Sequence, residues 1–211
     1  MNLIFDLDGT LLNTLADLKN AVNYALEKFG FPTRSLEEVR KAVGNGLKML
    51  IKRCLPENVS SDCVTEVLAE MKAYYSHHCY DETLPYPGIV HMLQMLRSQG
   101  HSIAIVSNKA DPMVQTLARV FFDGLTDFSL GESPQYTRKP APDMVYAAMA
   151  ALGKDAIYIG DSEVDILTAQ NAGIPCYAVS WGFRGEEALR EAGAQYIFAS
   201  PEALADAICS I

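Results

Sequence analysis

Residues 3–10 of the chain read LIFDLDGT, an apolar run followed directly by two aspartates and a glycine. A short apolar run of this kind is typical of a buried strand, and Gly9 allows a tight turn after it. This places Asp6 at the end of a strand and Asp8 in the turn, at the edge where open α/β sheets bind ligands. On this pattern alone, an ordinary Asp-Gly turn after a strand is an equally good interpretation.

Beyond residue 81, short runs rich in β-forming residues alternate with amphipathic stretches. Three of these runs cover residues 102–106, 156–159 and 176–179. Strands that alternate with helical patterns indicate βαβ units, and near-continuous apolar strands indicate a parallel sheet. The predicted fold class is therefore α/β, with a Rossmann-like parallel sheet core that carries helices on both faces.

The segment between residues 14 and 80 has helical periodicity but no convincing strand. Two pairs in it have the spacing of a capping box at a helix start, Thr14 with Asp17 and Ser35 with Glu38. We therefore predict a small all-helical cap domain inserted after the first strand. The predicted boundaries are 14–80 for the cap and 1–13 with 81–211 for a discontinuous α/β core.

A second acidic group lies in the segment GDSEVD at 160–165, directly after the strand-like run that ends at residue 159. Asp161 or Ser162 could simply cap a helix there, which is the better interpretation of this segment by itself. Together with Asp6 and Asp8, however, these carboxylates would repel one another in one crevice unless a hard cation were bound.

Two other polar segments stand near predicted strand ends. Ser107 and Asn108 end the strand that starts at residue 102, and they offer a hydroxyl, an amide and backbone N–H groups to a phosphate oxygen. Lys139 lies in RKPAPD, where two prolines stiffen the chain before a helix whose first residue is expected to be Pro142. A solvated loop lysine is the simpler interpretation of Lys139 on spacing alone.

Composition argues against several classes of partner. The chain has 17 Lys and Arg against 26 Asp and Glu, and the net charge of −9 opposes binding to nucleic acid or an anionic membrane. No apolar stretch reaches the roughly 20 residues of a membrane span. The five cysteines are odd in number and lack metal-binding spacing, which is typical of reduced thiols. We expect a cytoplasmic protein, as monomer or homodimer, that acts on a small metabolite.

The four polar segments occur in order, and with them the sequence resembles the haloacid dehalogenase superfamily. Its four motifs correspond to DLDGT at 6–10, SNK at 107–109, RKPAPD at 138–143 and GDSEVD at 160–165. Within the superfamily the chain is similar to the phosphoglycolate phosphatase branch, because of the small helical cap and the segment WGFR at 181–184. The resemblance covers essentially the whole chain.

The resemblance implies a Mg²⁺-dependent phosphatase that hydrolyses a small phosphomonoester, with 2-phosphoglycolate as the first substrate expected. Asp6 is then the nucleophile that forms an aspartyl-phosphate, Asp8 the general acid and base, and Lys139 the cation that neutralises charge. Mg²⁺ would be held by Asp6, the backbone carbonyl of Asp8 and Asp161, with Asp165 supporting the ion directly or indirectly. The residues expected to hold the phosphoryl group or to orient Asp8 are Thr10, Ser107 and Asn108.

The predicted cap would select the substrate by closing over the phosphate. Gly44, Asn45 and Gly46 would allow the backbone to approach the ligand, and Lys48 or Arg53 could meet an anionic leaving group. An ordinary turn between helices, flanked by solvated cations, is an equally good interpretation.

Several alternative functions stay open at this point. An inorganic pyrophosphatase and a sugar-phosphate mutase use the same chemistry. Haloacid dehalogenation is disfavoured because that branch lacks the second aspartate, which is Asp8 in this chain. A non-catalytic regulator could share the fold, since fold does not fix function, but the intact set of Asp6, Asp8, Lys139 and Asp161 argues against it.

Overall fold

The computed structural model of the protein describes residues 1–44 and 46–211. The chain divides into two compact units, one formed by residues 1–13 with 85–211 and the other by residues 14–84. Among the described residues, no helix is both long and apolar enough to cross a membrane.

The strands and helices have the following bounds. In chain order, the strands are β1 (Asn2–Phe5), β2 (Leu12–Asn13), β3 (Leu84–Pro85), β4 (Ser102–Ala110), β5 (Phe128–Glu132), β6 (Ala156–Gly160), β7 (Cys176–Val179) and β8 (Tyr196–Phe198). The helices are α1 (Leu15–Lys28), α2 (Leu36–Ala42), α3 (Gly46–Cys54), α4 (Ser61–His78), α5 (Ile89–Ser98), α6 (Asp111–Phe122), α7 (Asp143–Leu152), α8 (Glu163–Ala172), α9 (Gly185–Glu191) and α10 (Pro201–Cys209).

The first unit is built on a six-stranded sheet in the order β5-β4-β1-β6-β7-β8, and all of its strand pairs are parallel. Ile4 packs with residues of α7 in one hydrophobic cluster. Leu3 and Phe5 point to the opposite face, because successive strand residues alternate, and they are also fully buried. Both faces of the sheet are therefore covered, which confirms the predicted α/β fold class.

Strand β1 lies at the centre of this sheet, where the strand order reverses. The chain runs outward from β1 to β4 and β5, then returns to β6 on the other side of β1. The carboxyl end of β1 is thus the switch point at which open α/β sheets hold their ligands. Asp6 and Asp161 directly follow β1 and β6, so both lie at this edge.

Strand β4 is longer than the sequence predicts. The strand continues to Ala110, so Ser107 and Asn108 lie inside it rather than at its end. Its register with β5 shifts between Val106 and Ala110, so the pairing of the two strands is irregular at this edge. Helix α6 follows at once with Asp111 as its first residue, and α7 likewise begins at Asp143, with Pro142 as its N-cap rather than its first residue.

The second unit contains α1 to α4. The capping box of Ser35 and Glu38 is present at the start of α2. The one expected for Thr14 and Asp17 is wrong, because the buried Asp17 carboxylate accepts hydrogen bonds from the backbone N–H groups of Glu82 and Thr83 and from the Thr83 hydroxyl. A buried carboxylate needs several donors, and the returning chain supplies more of them than the helix start does.

Candidate active site

Three aspartates meet at the carboxyl edge of the sheet. Asp6 and Asp161 follow the central strands, and Asp165 lies in the first turn of α8. One carboxylate oxygen of each lies within 4.8 Å of the others, and all three residues are buried. Gly160 permits this approach, because a Cβ atom there would collide with the Asp165 side chain. The side chain of Asp8 is not part of this group. Asp8 is expected to bind the cation through its backbone carbonyl instead.

Lys139 connects two of these aspartates. Its Nζ donates to Asp6 Oδ1 at 2.7 Å, to Asp165 Oδ1 at 2.8 Å and to the Tyr158 hydroxyl at 2.8 Å. The three acceptors match the three protons of an ammonium group. Lys139 is only 3% exposed, so the interpretation of a solvated loop lysine is wrong.

Asn108 fixes the backbone that carries this lysine. Its side-chain carbonyl accepts from the Lys139 N–H at 2.8 Å, and its amide donates to the Lys139 carbonyl at 3.0 Å. The amide thus bridges β4 to the segment 138–143. Ser107 is buried nearby, and its hydroxyl accepts from the Lys109 N–H at 3.2 Å.

The electrostatics of the aspartate group indicate that its buried carboxylates lack a balancing positive charge. Burial raises the pKa of Asp6 to about 7, although Lys139 acts in the opposite direction. Burial, reinforced by Asp165 and Asp6, raises the pKa of Asp161 well above its usual value. For Lys139, burial alone would lower the pKa, but Asp165 and Asp6 outweigh it and hold the pKa well above its usual value.

The charges of the group fit a divalent cation. Three carboxylates and one ammonium leave two negative charges in a buried site. Hard cations such as Mg²⁺ bind through carboxylate oxygens, and a bound cation would reverse the upward pKa shifts of Asp6 and Asp161. The residues present therefore form a possible metal-binding group.

Asp161 is held by a loop that sequence reasoning did not assign to the site. The Phe183 N–H donates to Asp161 Oδ2 at 2.7 Å, and the Thr10 hydroxyl donates to Asp161 Oδ1 at 3.2 Å. The Trp181 indole N–H donates in turn to the Thr10 carbonyl at 3.0 Å. The loop 181–183 therefore connects the turn after β1 to the aspartate after β6, and the Trp181 indole supplies one of the hydrogen bonds.

Gly182 makes this arrangement possible, and we expect Gly182→Ala to weaken cation binding. An added Cβ atom would overlap the Asp161 side chain and the Gly9 carbonyl, so the loop would have to move away from the carboxylate. Loss of a hydrogen bond that orients a metal ligand typically weakens metal binding about 10- to 100-fold. The measurement is the midpoint of a Mg²⁺ binding titration at constant temperature.

The matched control for this variant is Gly124→Ala. Gly124 has φ of +70°, and an added Cβ there meets nothing within 4 Å, so this change strains the backbone away from the site. Both variants should lose stability, but only Gly182→Ala should shift the Mg²⁺ midpoint. Equal midpoints in the two variants would contradict the assigned role of the loop.

Tyr158 is a second residue that the sequence did not single out. It is fully buried in β6, and its hydroxyl donates to the Val106 carbonyl at 3.2 Å while accepting from Lys139. In the sequence it resembles any other residue of an apolar strand. Its position two residues before the end of β6 was the only available signal.

We expect Tyr158→Phe to destabilise the protein by about 1–3 kcal/mol, because it removes an acceptor from a buried ammonium without changing the packing of the ring. Urea denaturation monitored by circular dichroism measures the free energy of unfolding. Tyr146→Phe is the control, since the Tyr146 hydroxyl donates to the Asn171 carbonyl at 3.2 Å on a residue that is 49% exposed. A loss for Tyr158→Phe no larger than that of the control would contradict a structural role of the hydroxyl.

The carboxyl group of Asp8 is paired with a different lysine, Lys109, which is the last residue of the SNK motif. The sequence did not indicate a role for this lysine. Lys109 Nζ donates to Asp8 Oδ1 at 3.0 Å. The lysine side chain is 2% exposed and that of Asp8 20% exposed. This ion pair could not be predicted from spacing, because the two residues are 101 positions apart.

The remaining predicted site residues belong to the helical unit. Gly44 and Gly46 both have positive φ, at 117° and 80°, as a turn between helices requires. The Arg53 guanidinium donates to the carbonyls of Ala42 and Gly44 at 2.9 and 3.3 Å and so holds this turn within its own unit. Asn45 lies outside the described residues.

The fold and the site together define an α/β enzyme with a buried acidic group and a lysine at the switch point of a parallel sheet. A sequence profile described as haloacid dehalogenase-like hydrolase matches residues 3–179. The chain belongs to this family and is an enzyme of the hydrolase class, which confirms the resemblance drawn from the four motifs.

Individual relatives agree with this assignment. The phosphoglycolate phosphatase of Rhodobacter capsulatus is 38% identical over 190 residues, which cover 86% of this chain and 85% of the relative. That of Pseudomonas syringae pv. tomato is 35% identical over 191 residues, covering 86% and 70%. A solved structure from Lactobacillus delbrueckii subsp. bulgaricus, described as a candidate phosphoglycolate phosphatase, has 38% identity and a TM-score of 0.94 over 98% of this chain and 97% of its own.

Proposed function

We propose that the chain is a Mg²⁺-dependent phosphomonoesterase that transfers the phosphoryl group of its substrate to Asp6. The observation that carries this proposal is the buried Asp6 carboxylate, which lies 2.7 Å from Lys139 and within 4.8 Å of two further aspartates. A carboxylate can attack a dianionic phosphate only where surrounding positive charge offsets the repulsion between them.

In the proposed first step, an oxygen of Asp6 bonds to phosphorus while the bond from phosphorus to the leaving oxygen breaks. Asp8 gives its proton to that oxygen, so the product leaves as an alcohol. Lys139 orients Asp6 through its hydrogen bond and offsets charge on the phosphoryl group. Asp6, Asp161, the backbone carbonyl of Asp8 and, directly or indirectly, Asp165 would hold Mg²⁺, which would supply further positive charge to the phosphate.

In the second step, a water molecule attacks the phosphorus of the aspartyl-phosphate. Asp8, now a carboxylate, takes a proton from this water, and the bond between phosphorus and the Asp6 oxygen breaks. Phosphate is released, Asp6 is again a carboxylate, and Asp8 is again protonated. The hydroxyl of Ser107, a buried residue of β4, is a proposed contact of the phosphoryl oxygens.

We further propose 2-phosphoglycolate as the substrate, because relatives at 35% and 38% identity carry the name phosphoglycolate phosphatase. The helical unit would act as the cap that selects this substrate, with Gly44, Asn45, Gly46 and Arg53 as candidate contacts. The net charge of −9 disfavours nucleic acid and anionic membranes as partners. We also propose that the protein is cytoplasmic and is a monomer or a homodimer.

Phosphate release from a panel of phosphate compounds tests both the proposed reaction and the proposed substrate. The panel contains 2-phosphoglycolate, 3-phosphoglycerate, glycerol 3-phosphate, glucose 6-phosphate and pyrophosphate, each with Mg²⁺ and with excess EDTA. We expect 2-phosphoglycolate to have the highest kcat/KM and EDTA to abolish the activity. A low rank for 2-phosphoglycolate would contradict the substrate, and no release from any ester would contradict the reaction.

The same panel, extended by β-glucose 1-phosphate, separates the two other activities of this chemistry. An inorganic pyrophosphatase would prefer pyrophosphate over every ester. A sugar-phosphate mutase would convert β-glucose 1-phosphate into an isomeric sugar phosphate with little free phosphate, which product analysis by ³¹P NMR detects.

A further inference from the structure

The ion pair of Lys109 and Asp8 adds a residue to the proposed reaction. We infer that Lys109 is a positioning residue that holds the Asp8 carboxyl group for proton transfer to the leaving group, an inference that rests on the proposed phosphatase function. Lys109 touches no atom of the reacting phosphoryl group in this scheme, and it acts through Asp8.

The contact geometry supports this role. The Lys109 ammonium binds Oδ1 of Asp8 at 3.0 Å. Among the described residues, the hydrogen-bond partner of the Asp8 side chain is Lys109, which binds Oδ1. Oδ2 therefore stays available for the proton that is transferred. A carboxyl group in a turn rotates freely unless one oxygen is fixed, and a misplaced acid loses much of its catalytic effect.

The ammonium itself is held by rigid backbone. Lys109 lies in the irregular end of β4, and its N–H donates to the Ser107 hydroxyl. Gly131 of β5 packs so closely on this segment that an added Cβ atom would lie 2.5 Å from the Lys109 carbonyl. The adjacent Asp111 carboxylate accepts from the Gly131 N–H at 2.9 Å. The base of the lysine side chain is therefore fixed on both sides.

Because the ion pair is buried, Lys109 also stabilises the negative charge that develops on Asp8 during proton transfer. The Asp8 carboxylate gains a full negative charge only as its proton leaves for the product alcohol. The Lys109 side chain is 2% exposed, so its ammonium charge is weakly screened by water and offsets this developing charge. The same contact then holds Asp8 as the carboxylate that accepts a proton from the attacking water.

Leaving-group dependence tests this inference. An alkyl phosphate such as 2-phosphoglycolate requires protonation of its leaving oxygen, whereas p-nitrophenyl phosphate releases a stable anion without it. We expect Lys109→Met to lower kcat/KM about 100-fold for 2-phosphoglycolate and less than about 3-fold for p-nitrophenyl phosphate. The ratio kcat/KM is used because it reports the steps up to departure of the leaving group.

The matched control is Lys154→Met, which removes an exposed lysine from the same unit and should leave both rates unchanged. If Lys109→Met lowered kcat/KM equally for the two substrates, the inference would be overturned, because a general loss of structure or of positive charge affects both reactions. Circular dichroism and Tm establish that the variant is folded.

A double-mutant cycle gives a second readout that needs one substrate only. In the Asp8→Asn background, Lys109→Met should change kcat/KM for 2-phosphoglycolate by less than about 2-fold, because residues that act as a unit are not additive. A further loss in that background as large as in the wild type would overturn the inference. If the wild type released phosphate from no ester, the proposed function itself would fail, and the inference with it.

Discussion

Asp6→Asn should abolish phosphate release, with kcat lowered by at least about 10⁴-fold, as is typical when a catalytic nucleophile is removed. The amide has nearly the shape of the carboxylate and can still accept the hydrogen bond of Lys139, now 2.7 Å from Asp6 Oδ1. Packing is therefore preserved while the nucleophilic oxygen and its charge are lost. Steady-state phosphate release with 2-phosphoglycolate and Mg²⁺ measures the effect.

The same variant tests the intermediate directly. Wild-type protein quenched in acid during turnover should carry a phosphoryl group on the peptide that contains Asp6, as detected by mass spectrometry, and the variant should carry none. Asp206→Asn is the matched control, since Asp206 is an exposed aspartate on α10, and it should behave as the wild type. Phosphoryl transfer to another residue, or substantial activity of Asp6→Asn, would contradict the proposed nucleophile.

The sequence predicted the position of the aspartates for a physical reason that holds in the structure. Apolar runs that end in acidic residues indicate parallel strands, and the carboxyl ends of such strands meet at one edge. Asp6 and Asp161 follow the adjacent strands β1 and β6, which pair in register from Asn2 with Ala156 to Phe5 with Ile159. Local pattern was sufficient here because topology brings these strand ends together.

The residues that support the aspartates were not predictable in this way. Tyr158 has the pattern of a core strand residue, and only the position of Lys139 reveals that its hydroxyl lies in the site. The loop 181–183 reaches Asp161 and Thr10 across 22 and 171 residues of sequence. Such contacts depend on how loops pack in three dimensions, and a single sequence carries no periodic signal for them.

Local patterns also failed where tertiary contacts competed with them. The spacing of Thr14 and Asp17 fits a capping box, but three donors from residues 82–83 bind the Asp17 carboxylate. The predicted end of β4 at Ser107 and Asn108 was wrong because pairing with β5 resumes at Ala110 after the register shift. In both places a partner distant in sequence determines the structure.

Lys139→Met should lower kcat/KM by about 10³-fold, because it removes a preorganised donor from the site of phosphoryl transfer. It also leaves Asp6 and Asp165 without the ammonium that now lies 2.7 and 2.8 Å from them. The site then becomes more negative, so it should still bind Mg²⁺, and additional Mg²⁺ should not restore the rate because the donor itself is missing. The measurement is kcat/KM for 2-phosphoglycolate over a range of Mg²⁺ concentrations, with Lys154→Met as the control.

Lys139→Arg distinguishes the charge of this lysine from its geometry. The ammonium meets three acceptors at one point, whereas a guanidinium is larger and spreads its donors over a planar fork. Since the site is 3% exposed, there is little room for the larger group, and we expect Lys139→Arg to lose nearly as much activity as Lys139→Met. Near wild-type activity in Lys139→Arg would contradict this geometric requirement and leave positive charge alone as the contribution of Lys139.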